Sequence, residues 1–235
     1  MQIQISISKI DRYGEGNSGD TVEVVERPNG GISIVMADGQ KDGKDRKSIS
    51  TMACHKVIEQ ISNGVMDGAA IRTTSNWIFS EHEGHIQADV IVISVDTQSN
   101  TILISRNNPV PIFLINHGNV DCLLSDSEPI GGRAGITPSI IELPIEPNLA
   151  IVAFSDGIYQ AGGQIMQSAD ICTTLGSLFD EQEPTAQEMA DFLLSRSIRL
   201  DDRRPKDDMS VIALLVSPQS TDKIRRMSAS FSIND

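Results

Sequence analysis

Apolar and polar residues alternate with a period of two from the first residues onward. Gln2–Ile10 reads Gln-Ile-Gln-Ile-Ser-Ile-Ser-Lys-Ile, which gives an extended segment one apolar face. The same alternation, or a short β-branched run, recurs at Thr21–Glu26, Gly31–Met36, Ala88–Val95, Thr101–Ser105, Pro111–Asn116, Val120–Leu124, Ser139–Pro144, Leu149–Phe154 and Met209–Val216. Turn-forming residues join several of these runs: Asn29-Gly30-Gly31, Gln98-Ser99-Asn100 and His117-Gly118-Asn119. Such tight joins suit hairpins and therefore antiparallel pairing.

Helical spacing occupies two blocks. In the first, beginning near Lys47, Ile49, Met52, Ala53, Lys56, Val57, Gln60 and Ile61 share a helical repeat, Gly64 and Gly68 punctuate it, and a second helix runs to about Glu83. The later block starts at Asp170 and contains a cleaner helix from Thr185. There Thr185-Ala-Gln-Glu188 forms a capping box, and Ala186, Met189, Ala190, Leu193 and Leu194 form one apolar stripe. Strands, helices, strands, helices and a last strand make an α+β chain. Two antiparallel sheets packed together, each covered by a helix pair, accommodate that order. The expected organisation is one domain over residues 1–217 and a polar, serine-rich, flexible tail over 218–235.

Composition narrows the role. The chain of 235 residues is 39% apolar, enough for an ordinary globular core. A net charge of −13 repels phosphate backbones and anionic lipid, so neither nucleic acid nor a membrane surface is an expected partner. The acidity fits cation binding, but solubility is the stronger reason for it. Cys54, Cys122 and Cys172 are widely spaced and odd in number, as reduced thiols are. The N-terminus lacks the basic start and apolar stretch of a signal peptide, so a cytoplasmic location is expected.

The chemistry gathers on aspartates. Asp20 closes Gly16-Asn-Ser-Gly-Asp20 before a strand, and Asp38 follows Ile32–Ala37 and precedes Gly39. Asp156 follows Ala150–Ser155 and precedes Gly157, and Asp207-Asp208 precedes the final strand. Carboxylates about 4 Å apart repel by roughly 1–4 kcal/mol. Convergent strand ends of this kind call for a cation, and hard divalent ions prefer carboxylate and carbonyl oxygen. A single Asp-Gly is most often only a turn; two of them behind apolar runs, with an Asp-Asp besides, are harder to dismiss. His82 and His85, at a helix end beside Gly84, read as a solvated terminus. Cys54 and His55 are adjacent in a helix and so do not face each other. Ser155 lacks the Gly-x-Ser-x-Gly of a nucleophile elbow.

Met36-Ala-Asp-Gly39, Phe154-Ser-Asp-Gly157 and Lys206-Asp-Asp-Met-Ser210 resemble the acidic motifs of the PPM-type metal-dependent protein phosphatases. The Asp-Asp form and the Gly19-Asp20 element resemble the SpoIIE-like bacterial branch, and within it the stand-alone RsbX-type stressosome phosphatases. Ser105-Arg-Asn-Asn-Pro-Val-Pro111 resembles a turn that many members write with Gly-His-Pro, and Pro129-Ile-Gly-Gly132 resembles their Pro-Leu-Gly stretch. The resemblance implies a four-layer αββα sandwich and two divalent ions, Mn²⁺ or Mg²⁺. Asp38 would bridge both ions, the Gly39 carbonyl would bind one of them near Asp20, and Asp156 and Asp207 would hold the other. Asp38 and Asp20 would be the catalytic carboxylates and Asp208 a supporting residue. The implied substrate is phosphoserine or phosphothreonine on a STAS-domain or stressosome regulator. Two departures stand out: Lys41 replaces a glycine of the loop Asp38–Gly43, and Gln40 replaces a histidine that protonates the leaving group in some relatives. An inactive PPM-fold binding module and a two-metal phosphohydrolase of a small phosphate ester are the alternatives.

Overall fold

The computed structural model describes residues 1–40, 45–163, 168–218 and 224–230. In chain order the strands are β1 (Gln2–Ile10), β2 (Asp20–Glu26), β3 (Ile32–Gln40), β4 (Gln87–Asp96), β5 (Thr101–Asn107), β6 (Ile112–Asn116), β7 (Asn119–Leu123), β8 (Ser139–Pro144), β9 (Ala150–Phe154) and β10 (Met209–Ser217). The helices are α1 (Arg46–Ser62), α2 (Asp67–His82), α3 (Asp156–Tyr159), α4 (Ser168–Glu181) and α5 (Ala186–Leu200). One sheet runs β1-β10-β9-β6-β7 and the other β2-β3-β4-β5-β8. Every described pairing is antiparallel. This is the expected α+β sandwich of two sheets between helical layers.

Side-chain parity explains the layering. Ile34, Met36, Ile91, Ile93, Ile151, Ala153, Ile212 and Leu214 fill the space between the sheets. Their odd-even neighbours Val35, Ala37, Val90 and Val92 pack under α1 and α2, and Val152, Phe154, Val211 and Ala213 pack under α4 and α5. Central strands are thus apolar on both faces, which is why their sequences read as continuous runs. Fully burying each Val, Ile or Phe contributes about 1.5–3 kcal/mol.

Local chemistry sets the element ends. Thr185 caps α5 with both bonds of the capping box in place. Arg27, just past β2, donates to Asp67 at 2.6 Å and to Ser33 and Ser94, pinning the start of α2 to the β2–β3 hairpin. Gly31 sits at φ +94°, where a side chain would strike the Val95 carbonyl. Strand β3 differs from expectation: the alternation suggests an end near Met36, yet β3 continues to Gln40 because Asp38, Gly39 and Gln40 stay paired with Asp89, Ala88 and Gln87 of β4. Among the described residues no helix is long and apolar enough to cross a membrane.

Candidate metal centre

At one end of the inter-sheet core the apolar rows give way to aspartates. Asp20, Asp38 and Asp89 lie side by side on β2, β3 and β4, in direct register. By parity with Val22, Met36 and Ile91 all three point between the sheets. The facing sheet contributes Asp156, the first residue of α3 after β9, and Asp207 and Asp208, just before β10. Asp38, Gly39, Asp156 and Asp207 line one cavity of about 1040 Å³, rimmed by the Arg12–Asn17 loop on one side and by His85 and Gln87 on another.

The carboxylates are crowded and dry. Asp20, Asp38 and Asp89 are each no more than 5% exposed. Burial, and then neighbouring carboxylates, raise the pKa of Asp38 well above the usual range. Burial likewise raises Asp20 and Asp156, and it lifts Asp89 to about 7. Hydroxyls of Ser210 and Ser155 oppose the rise at Asp20, where Ser210 Oγ donates to Oδ2 across the sheets at 2.7 Å. Gln40 Nε2 donates to Asp89 Oδ2 at 2.7 Å.

One oxygen of each central carboxylate lacks a hydrogen bond. Oδ1 of Asp20, of Asp38 and of Asp89 is buried without a hydrogen-bond partner among the described residues. Buried acceptors are otherwise almost always satisfied. Three such carboxylate oxygens in one row, none accepting a hydrogen bond and only Asp38 Oδ1 with a cation near it, are the donor type that Mg²⁺ and Mn²⁺ select. The residues therefore fit a divalent-cation centre, although among the described residues no three acidic or imidazole side chains yet close around one point. A resident cation already stands among them: Arg46, the first residue of α1, lies 2.9 Å from Asp207 Oδ1 and 3.5 Å from Asp38 Oδ1, and its Nε donates to the Gly39 carbonyl. Burial opposes the charge on Arg46, but Asp207, Asp38 and Asp208 outweigh it and raise its pKa.

The structure brings Asp20, Asp38, Gly39, Asp156 and Asp207 to one place. Asp208 is set apart by its contacts: its Oδ1 accepts from the Arg12 amide at 3.0 Å and its Oδ2 from the Gly19 amide at 2.7 Å, fastening the β1–β2 loop behind Asp20. The glycines of the Asp-Gly pairs also have an explicit cause. A side chain on Gly39 would meet the Arg46 carbonyl at 2.2 Å, and one on Gly157 the Asp208 carbonyl at 2.1 Å. Lys41 and Gly43 lie outside the described residues.

Other singled-out residues sit elsewhere. Cys54 is buried against the Val35 carbonyl while His55 is exposed beside Glu23. His82 meets the Trp77 ring edge-on, whereas His85 reaches the cavity rim. Ser155 stitches backbone, donating to the Asp208 carbonyl and accepting from the Ser210 amide. Arg106 of the Ser105–Pro111 turn is buried and donates to the Val110 and Leu123 carbonyls, fastening β5 to the β6–β7 hairpin. Ile130 of Pro129–Gly132 bridges to Ala88, extending the sheet beside Asp89 where β5 ends.

Sequence reasoning missed Asp89 and Arg46. Asp89 interrupts the apolar strand Ala88–Val95, a position where an unpaired carboxylate is costly, and that cost was its signal. Arg46 lies in the run Lys44-Asp-Arg-Lys47, which reads as a solvated loop.

Known proteins share this fold. The sequence profile described as Stage II sporulation protein E (SpoIIE) matches residues 28–217. No curated protein sequence matches. Among solved structures the chain is similar to the PP2C phosphatase domain with a regulatory-domain fragment of the cell fate determinant SpoIIE from Bacillus subtilis. The TM-score is 0.78 at 18% identity, over 92% of this chain and 64% of that one. It is also similar to a serine/threonine phosphatase of S. agalactiae, with TM-score 0.71 and 18% identity over 92% of this chain and 100% of that one. A third similar structure holds the RsbU and RsbW domains of a Mycobacterium tuberculosis protein, with TM-score 0.75 and 17% identity over 93% of this chain and 61% of that one. At these identities the structural likeness establishes the fold.

Proposed function

Because the chain belongs to the SpoIIE family of PP2C-type serine/threonine phosphatases, we propose that it hydrolyses phosphoserine or phosphothreonine on a protein regulator of the STAS-domain or stressosome type. In this reading the nucleophile is water, which bound divalent ions would help to ionise, and the cytosol is its setting. The observation that carries it is the in-register row Asp20, Asp38, Asp89, each with a buried oxygen that accepts no hydrogen bond, facing Asp156 and Asp207. The RsbU and RsbW domains in a similar structure favour a signalling regulator as substrate.

Asp20, Asp38, Asp156, Asp207 and the Gly39 carbonyl would hold two divalent ions, Mn²⁺ or Mg²⁺. When bound, such ions supply Lewis acidity, acidifying water and neutralising phosphoryl charge. The chain does the positioning. Ser210 fixes Asp20 from across the core, and Asp208 holds the loop behind it through two backbone amides. Gln40 orients Asp89 and carries no titratable proton. The cavity, about 1040 Å³, has room for a phosphorylated side chain, and its loop rim would meet the surface around that side chain.

The test is phosphate release from a phosphoserine protein, with Mn²⁺ and after its removal. We expect activity only with the metal, and none in Asp38→Ala, which loses the carboxylate at the centre of the row. Near wild-type turnover by Asp38→Ala would sink the reading. The inactive-module alternative draws support from Arg46, which pairs with Asp207 and lies 3.5 Å from Asp38. Metal binding without phosphate release from any phosphoprotein or from p-nitrophenyl phosphate would favour that module. Release from small esters alone would favour a small-molecule phosphohydrolase.

A further inference from the structure

The Arg46 side chain sits in a slot made for it. A Cβ on Gly19 would come within 3.2 Å of Arg46 Cβ and 3.3 Å of its Nε, and a Cβ on Gly39 would strike its backbone carbonyl. Through that slot the guanidinium reaches the Gly39 carbonyl at 3.2 Å, Asp207 Oδ1 at 2.9 Å and Asp38 Oδ1 at 3.5 Å. Those acceptors belong to both sheets, so a single planar cation ties the two halves of the centre together. They are also three of the five residues that the functional reading assigns to metal.

We propose that Arg46 is a built-in counter-ion of this centre, occupying the Asp38, Gly39 and Asp207 oxygens when no divalent ion is bound and competing with such an ion for them. The inference rests on the metal-binding part of the proposed function. Divalent ions bind carboxylate oxygen at about 2.0–2.6 Å. An ion on the oxygens that Arg46 contacts would put two cations within roughly 6 Å of each other in a partly dry site, where repulsion is strong. A guanidinium cannot relieve this by losing its proton. It has to swing away, and α1 is free to keep its place because only the side chain blocks the oxygens. The metal-free chain then has an internal substitute for the ion, and its affinity for the ion is set lower by that substitute.

The experiment is calorimetric titration of Mn²⁺ into the full chain, for the native protein, Arg46→Gln and Arg46→Lys, together with thermal melting in EDTA and in saturating Mn²⁺. Arg46→Gln is expected to bind Mn²⁺ about tenfold more tightly, the scale of groups adjoining metal ligands. It should also melt lower than the native protein in EDTA, with the gap narrowing in Mn²⁺. Arg46→Lys keeps a charge but loses the fork that spans three acceptors, so it should show a smaller gain in affinity, and it serves if the Gln variant fails to fold. Affinity unchanged or weakened in both variants, while the native protein binds Mn²⁺, overturns this inference and leaves the functional reading standing. Equal loss of melting temperature with and without Mn²⁺ marks a structural strap and also overturns it. No Mn²⁺ binding by any of the three proteins overturns both.

Discussion

At the residue scale the crowded carboxylates tie stability to pH. A carboxyl whose pKa is raised by folding binds more protons in the native state than in the unfolded chain, so stability falls as pH climbs between the two values. Asp20, Asp38, Asp89 and Asp156 all shift upward, chiefly through burial, and Asp89 reaches about 7. The EDTA-treated protein should therefore lose melting temperature from about pH 4, the ordinary carboxyl range, to pH 7 and beyond. Saturating Mn²⁺ should flatten that slope by favouring the charged carboxylates. Scanning fluorimetry across pH checks it, and a melting temperature that rises with pH in EDTA contradicts it. Gln40 supports a second expectation. Its amide is engaged by Asp89 and offers no acid to a departing serine oxygen. General acid help is worth about 10²–10⁴-fold, so turnover should be slow on phosphoserine and much less affected on p-nitrophenyl phosphate. A leaving-group series should be steep; a flat series would reveal an acid elsewhere, and His85 on the rim would be the first residue to test.

At the element scale the last strand and the first loop hold each other. Asp208, one residue before β10, accepts two backbone amides from the β1–β2 loop while 1% exposed. Asp208→Ala leaves those donors without a partner, and a buried unsatisfied polar group costs about 1–3 kcal/mol. We expect that loss in urea denaturation, with faster proteolysis of the loop Asp11–Gly19; unchanged proteolysis would contradict the anchoring role. Most elements were legible in the sequence because strand alternation and the Thr185 capping box are local signals. The extension of β3 through Asp38 was not, because Asp-Gly reads locally as a turn, and only the pairing of Asp38 with Asp89 keeps the backbone extended. The four-residue α3 escaped for a similar reason: its start at Asp156 is set by contact with the Asp208 backbone across the sheet. The acidic motifs singled out Asp20, Asp38, Asp156 and Asp207, which the fold places at one end of the core, whereas Asp89 and Arg46 stand out only once register and the path of α1 are known.

At the scale of the whole molecule, an acidic chain holds an open cavity whose rim comes from separate segments, the Arg12–Asn17 loop and the β4 entry at His85 and Gln87. If the proposed substrate is right, a short peptide would reach the aspartates and touch little of that rim, whereas a folded phosphoprotein would engage it, and remote contacts of this kind raise selectivity. The kcat/KM on a folded regulator should exceed that on its excised phosphopeptide by a wide margin; equal values would mean that the rim contributes nothing. The sheet order has a further consequence. Strand β10 lies between β1 and β9, so the N-terminal strand finds its neighbour only after Ser217 has been made. During translation the β2–β3–β4 row of aspartates can form early, and the half that carries Asp207 follows last. Nascent chains stalled before Met209 would therefore expose β1 and β9 as unpaired edges, the kind of surface that aggregates. Pairing of β10 with both β1 and β9 is therefore what brings the Asp207 side of the cavity against the row on β2, β3 and β4.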